Sequence, residues 1–227
     1  MSPRELVLGS IRQALDVTGR EAPRRKVVED RLAAHPTGVV PKRGQLEPKA
    51  RVELLAEMIA AAAGSVAQVS EGSRVPGAVA EFLRRHNLPL SIRRGQDARL
   101  AALPWHLERA LEVTVGASDG QQLASVSHAF GAVAETGTLV LTSGRDNPTT
   151  LNFLPDNHIV IVDVNDVAGD FETIFAQLRR NFGDHQLPRV VNLITGPSRS
   201  ADIEQTLILG AHGPRRLHVI LVGEVRA

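Results

Sequence analysis

Three places in this 227-residue chain carry side chains that could do chemistry. Glu135 stands in Ala134-Glu135-Thr136-Gly137-Thr138, between two apolar runs. Partial burial there would raise its pKa and fit it for acid/base or nucleophilic work; the position equally fits a strand-end glutamate satisfied by backbone amides or an arginine. His212, between Gly210-Ala211 and Gly213-Pro214, has the intrinsic pKa for proton transfer, and also suits the cap of a preceding helix. The third place is Gly196-Pro197-Ser198-Arg199-Ser200-Ala201-Asp202-Ile203-Glu204, directly after the apolar run Val190 to Thr195. A β-rich run, Gly-Pro-Ser, and apolar residues at helical spacing (Ile203, Leu207, Ala211) predict strand, tight loop and helix. Ser198, Arg199 and Ser200 would then stand at the positive end of a helix, where a carboxylate can be held, with Asp202 and Glu204 in the first turn. The loop lacks the second glycine and the lysine of a P-loop, so it is not read as a phosphate cradle, and a capped helix without ligand fits the same residues. His128, Asp156, His158 and His212 are the candidate metal ligands, but Asp156 and His158 are not at ligand-helix spacing, and no metal is predicted.

Composition narrows the chemistry. There are no cysteines, which excludes disulfides, thiol nucleophiles and thiolate-held zinc or iron–sulfur clusters within this sequence. The 26 basic and 25 acidic residues nearly cancel, and aromatics are 3% with no tyrosine, so neither a basic field nor stacking platforms favour nucleic acid. The first residues are charged and then amphipathic, no run approaches a membrane span, and a cytoplasmic protein is expected.

The elements that must position these residues follow from periodicity. Ser2-Pro3-Arg4-Glu5 reads as a capping box opening a helix from Pro3 to about Thr18. Pro23, Pro36, Pro41 and Pro48 then punctuate a basic stretch, read as an arm around a short helix near Val27 to Ala34, so that residues 1–48 form a helical N-terminal arm and 49–227 an α/β domain. Helices are predicted over Val52 to Ala62, Val75 to His86, part of Ala98 to Ala110, Pro148 to Leu154 and Asp166 to Phe182. Strands are predicted at 66–69, 90–92, 111–115, 123–126, 137–142, 158–164, 190–195 and 217–222. This alternation argues for a mostly parallel sheet covered on both faces, with ligands beyond the carboxyl ends of its strands, where the 196–200 loop, Glu135 and His212 are expected to meet.

Four blocks together resemble a known family: Ala134-Glu135-Thr136-Gly137-Thr138-Leu139-Val140-Leu141, Leu154-Pro155-Asp156-Asn157-His158-Ile159, Thr195 to Glu204, and Gly210-Ala211-His212-Gly213-Pro214 with the terminal Leu-His-Val-Ile-Leu-Val strand. Their order and spacing over Glu53 to Val222 are similar to the LUD-domain family, in its lactate utilization protein C branch; Ser200 stands where that family usually has threonine. The resemblance implies a three-layer, Rossmann-like α/β fold akin to sugar-phosphate isomerases, CoA transferases and 5-formyltetrahydrofolate cyclo-ligase. It also implies a part in oxidising L-lactate to pyruvate beside iron–sulfur partner proteins, with no cofactor in this chain itself; the balanced charge and the N-terminal arm allow a homodimer. Glu135, by its setting and by analogy to the glutamate nucleophile of CoA transferases of the related fold, and His212, by its intrinsic pKa, are the expected catalytic groups. Thr136, Gly137, Thr138, Gly196, Pro197, Ser198, Arg199, Ser200 and Asp202 are expected to bind a small organic acid. Two other classes of function fit the same residues: an independent acyl or CoA transferase using Glu135 as nucleophile, by fold analogy, and a non-catalytic scaffold whose N-terminal arm grips partner subunits.

Overall fold

The computed structural model describes residues 2–183, 186–203 and 206–225, with only the backbone described for 201–203 and 206–208. The chain divides into two compact units, 1–39 and 40–227. The first holds α1 (Pro3–Ala14) and α2 (Ala22–Ala34). The Ser2/Glu5 capping box forms at the start of α1, satisfying two of the N–H groups that a helix leaves open. Helix α1 ends at Ala14, one turn short of the expected Thr18, because Asp16 takes φ 50 and Val17 turns back to Arg12. On α2 the basic run pairs along its own helix, Arg25 with Glu29 and Lys26 with Asp30, so those charges serve the helix surface.

The second unit runs through α3 (Pro48–Ala61), β1 (Ser65–Val69), α4 (Val75–Arg85), β2 (Ser91–Arg94), α5 (Ala98–Ala101), β3 (Glu112–Val115), β4 (Ala124–His128), β5 (Gly131–Val133) and β6 (Thr138–Thr142). It continues with α6 (Thr150–Phe153), β7 (Asn157–Asp163), β8 (Val167–Ala168), α7 (Phe171–Phe182), β9 (Val191–Ile194), β10 (Arg199–Ile203), β11 (Thr206–Leu209) and β12 (Arg216–Val222). Six strands form one all-parallel sheet in the order β1-β12-β7-β4-β2-β3. The fold class is therefore the mixed α/β expected.

Alternation along the central strands decides what covers each face. Ile159 and Ile161 of β7, Val126 of β4 and Ile220 of β12 pack under α4 through Val79, Phe82 and Leu83. Val160 and Val162 of β7, with Val219 and Leu221 of β12, face the opposite way, onto Leu55 and Ile59 of α3 and onto Ala132, Leu139 and Leu141. The latter three belong to a second, four-stranded sheet, β8-β5-β6-β9, whose outer face is closed by Ile174 and Leu178 of α7. Each fully buried Leu or Ile here contributes about 1.5–3 kcal/mol of transfer free energy.

Part of the cover on one face of the parallel sheet is this second sheet. Runs 138–142 and 191–194 are strands, but β9 pairs antiparallel with β6 outside the parallel sheet. Helix α7 starts at Phe171 rather than 166, because Asp170 caps it by accepting from Thr173 N–H while Val167–Ala168 is spent as a strand beside β5. The largest correction concerns residues 198–211. No helix opens at Ser198: Arg199–Ile203 and Thr206–Leu209 pair antiparallel as a hairpin, with an irregularity between Ser200 and Ile203. The short apolar run Thr206-Leu207-Ile208-Leu209 satisfies either period, and its β-branched residues settle it as strand. Ser198 and Ser200 are therefore not helix caps, Asp202 lies in β10, and Glu204 lies outside the described residues.

Candidate functional site

A cleft of about 290 Å³ opens where β9 gives way to the β10–β11 hairpin. One wall is the chain from Leu193 to Arg199, another is His212-Gly213-Pro214, and Asn152, Phe153, His158 and Leu217 complete it. His158 and Leu217 are the second residues of β7 and β12, paired in register. The cleft thus sits at the amino end of the parallel sheet, on the face shared with the second sheet. This corrects the placement expected from open α/β sheets: the 196–200 loop does follow a carboxyl strand end, but that strand, β9, belongs to the small antiparallel part.

The loop is held by its own backbone. Gly196 takes φ +80, and a Cβ there would come within 2.4 Å of the Ala62 carbonyl at the end of α3; only glycine fits both constraints. Arg199 donates from Nη2 to the same carbonyl, so its guanidinium satisfies a helix C-terminus beside the cleft. Ser198 is the hub of the far wall: its N–H donates to Pro214 O at 2.9 Å, its carbonyl accepts from Gly210 N–H at 2.9 Å, and its Oγ accepts from His212 N–H at 3.3 Å. His212 is exposed at the mouth.

Gly196, Pro197, Ser198, Arg199 and His212 are therefore brought together, as the sequence reading expected. Glu135 is not. It does not line the cleft; it lies just beyond β5, 4% exposed, its N–H on Gly169 O at 3.2 Å and its Cβ 3.3 Å from where a side chain on Gly44 would begin. Its Oε2 is buried without a hydrogen-bond partner. Gly137 packs its backbone on Met58 and Ile59. Thr136 and Thr138 reach the cleft only indirectly, through a hydroxyl chain of 2.7 Å links, Thr136 to Thr138 and Thr138 to Thr195. Ser200 begins the hairpin with Arg199.

The cleft has a polar floor that the sequence reading did not pick out. His158 Nε2 lies 3.0 Å from Ser127 Oγ, and that hydroxyl donates to Asn152 Oδ1 at 3.3 Å. His158 is fully buried, and desolvation pushes its pKa down to about 3, so the ring is neutral at physiological pH. Its Nδ1 and the Nδ2 of Asn152 are both buried without a partner, an arrangement native cores rarely leave without a ligand or water. A signal was present in Ala124-Ser125-Val126-Ser127, where serines alternate with apolar residues along a buried strand and so define one polar stripe.

His128 and His158 cannot share a metal ion with Asp156 and His212. His128 closes β4 opposite Ile161, three residues along β7 from His158 and toward the other end of the sheet. Among the described residues no group of three or more His, Asp or Glu side chains is placed to hold a metal.

Comparison with known proteins agrees with this architecture. The LUD domain model matches residues 52–222. A Neisseria meningitidis protein named Uncharacterized protein NMB1437 is 33% identical over 140 residues, covering 60% of this chain and 59% of its own. The proteins named Lactate utilization protein C from Bacillus subtilis and Geobacillus thermodenitrificans are 38% and 37% identical, over 40% and 46% of this chain and 39% and 45% of theirs. The matched stretches thus span roughly half, or less, of these relatives' lengths. The crystal structure of a DUF162 family protein from Deinococcus radiodurans superposes with a TM-score of 0.55 over 78% of this chain and 99% of that one, at 24% identity, and so shares the fold. With the family model spanning both sheets, the hairpin and the cleft, the chain belongs to the LUD domain family.

Proposed function

We propose that this chain is a lactate utilization subunit, taking part in the oxidation of L-lactate to pyruvate beside iron–sulfur partner proteins and holding a small organic acid in the cleft at the amino end of the sheet. The observation that carries this reading is the match of the LUD domain model over residues 52–222, together with relatives named Lactate utilization protein C. The chemistry divides accordingly. Lactate becomes pyruvate by losing two electrons and two protons, from its hydroxyl and the adjoining C–H. A sequence without cysteine cannot hold a thiolate-ligated cluster to take those electrons; on this reading the iron–sulfur partners accept them, and this chain binds and orients the acid. The guanidinium of Arg199 and the hydroxyl of Ser198 suit a carboxylate, and Leu217, Pro214 and Phe153 suit a methyl group. No helix among the described residues is long and apolar enough to cross a membrane; on this reading the chain works in the cytoplasm.

The transferase alternative needs a thioester carbonyl to reach Glu135. Glu135 as a whole residue is 4% exposed and does not line the cleft, so no observation favours it. The test is genetic. Deleting the gene should stop growth on L-lactate and leave growth on a sugar intact, with a plasmid copy restoring it; undiminished growth on L-lactate would overturn the proposal.

A further inference from the structure

The polar floor of the cleft has a direction, and it comes from counting protons. A serine hydroxyl has one hydrogen, and that of Ser127 is given to Asn152 Oδ1. The 3.0 Å contact between Ser127 and His158 can then form only if His158 Nε2 carries the proton and donates. A neutral imidazole protonated at Nε2 is a bare acceptor at Nδ1. The same chain points Asn152 Oδ1 at Ser127 and leaves Nδ2 as a donor. The two atoms without partners are this acceptor and this donor, His158 Nδ1 and Asn152 Nδ2.

We propose that Ser127, Asn152 and His158 form a recognition site for 2-hydroxy acids: the ligand hydroxyl donates to His158 Nδ1, and a ligand oxygen accepts from Asn152 Nδ2. The inference rests on reading the cleft as the organic-acid site and adds to it a selectivity. A 2-keto acid has no proton on its second carbon's oxygen, so it would set a carbonyl against the lone pair of His158 Nδ1 and leave that buried acceptor unsatisfied. Sites built to pair a substrate hydroxyl reject analogues lacking it because their own polar groups are then left unpaired. The site therefore binds the reduced acid in preference to the oxidised one and releases the product of lactate oxidation. Ser127 does not touch the ligand; it is a positioning residue that fixes the tautomer of His158.

The test is calorimetric titration of the full chain at pH 7 with L-lactate, glycolate, 2-hydroxybutyrate, pyruvate and propionate. The hydroxy acids are expected to bind at least about tenfold more tightly than their keto or deoxy counterparts. Ser127→Ala, verified as folded by its melting curve, should narrow the lactate-to-pyruvate ratio to less than about threefold, because the ring is then free to present N–H at Nδ1. Pyruvate binding as well as L-lactate to the unaltered chain overturns the recognition site and leaves the lactate role standing. Glycolate or 2-hydroxybutyrate binding with the full preference while L-lactate does not bind supports the recognition site and removes the lactate role. Failure of all five acids to bind overturns the site, as does a preference that survives Ser127→Ala.

Discussion

The two ends of the parallel sheet set their polar groups in different surroundings. At the carboxyl end, beyond β2 and β4, Asp97 and Arg99 pair at 2.7 Å, and Arg99 also donates to Ala129 O at 3.3 Å. Asp163, closing β7, accepts from Asn165 N–H, and Arg94 donates to Gly95 O, while Arg93 Nε, Arg94 Nε and both polar side-chain atoms of Asn147, in the loop packed on Gly95, have no partner. At the amino end, His158 and Asn152 each keep a buried atom unpaired beside an open cleft. The usual ligand end of an open α/β sheet thus combines an ion pair and internal hydrogen bonds with unpaired atoms of its own, whereas at the amino end the unpaired atoms belong to residues that line a cleft walled by β9 and the β10–β11 hairpin. The position of the second sheet, more than the topology of the first, decides where this molecule can hold a ligand.

Acid should separate the two ends most strongly. Burial depresses the folded pKa of His158 to about 3, and burial with the nearby charges of His86 and Arg85 takes His218 to about 4. The unfolded chain takes up these protons near pH 6.5, so the stability tied to neutral histidines is complete above that pH and falls as pH drops toward 4, by up to about 1.4 kcal/mol per unit for each. Asp97 behaves differently: burial raises its pKa, but hydrogen bonds and charge from Arg99 outweigh that and hold it below 3.8, so its contribution is lost only under more acidic conditions. Denaturant titrations between pH 7 and 4 should show the decline, and His158→Leu should flatten it; an unchanged slope in that variant would break the contrast.

A smaller but local effect is expected at the cleft wall. Gly196→Val sets a β-branched side chain at φ +80 and against the Ala62 carbonyl, a combination that should cost about 2–4 kcal/mol. Urea unfolding would measure it, and a midpoint unmoved from the parent would show that the loop is not pinned to α3. The smallest effect is expected at the opposite end. Asp97→Asn weakens a pair whose arginine is half exposed, and should cost about 1 kcal/mol while leaving L-lactate affinity within twofold. A larger change in affinity would mean that the two ends are coupled.

Legibility in the sequence followed the length of the signal. The buried run of β7 and the amphipathic faces of α4 and α7 were readable because seven to twelve residues repeat one period. Strands β5 and β8, three and two residues long, carry no period to read. The hairpin was read as a helix because Ile203, Leu207 and Ala211 fall at helical spacing, and the run Leu207-Ile208-Leu209 is too short to tell one period from the other. Of the candidate site, Gly196 to Arg199 and His212 were singled out by residue type and do share the cleft. Glu135 was drawn to them by analogy and lies elsewhere. Ser127, Asn152 and His158 stayed hidden, since their relation exists only once β4, β7 and α6 are side by side.

The protonation of His158 tests the central claim most directly. Nitrogen-15 spectra of histidine-labelled full chain at pH 7 report which ring nitrogen carries the proton, and the account predicts N–H at Nε2, bare Nδ1, and a shift of the Nδ1 resonance when L-lactate is added. A proton on Nδ1, or an Nδ1 resonance indifferent to L-lactate, would contradict it.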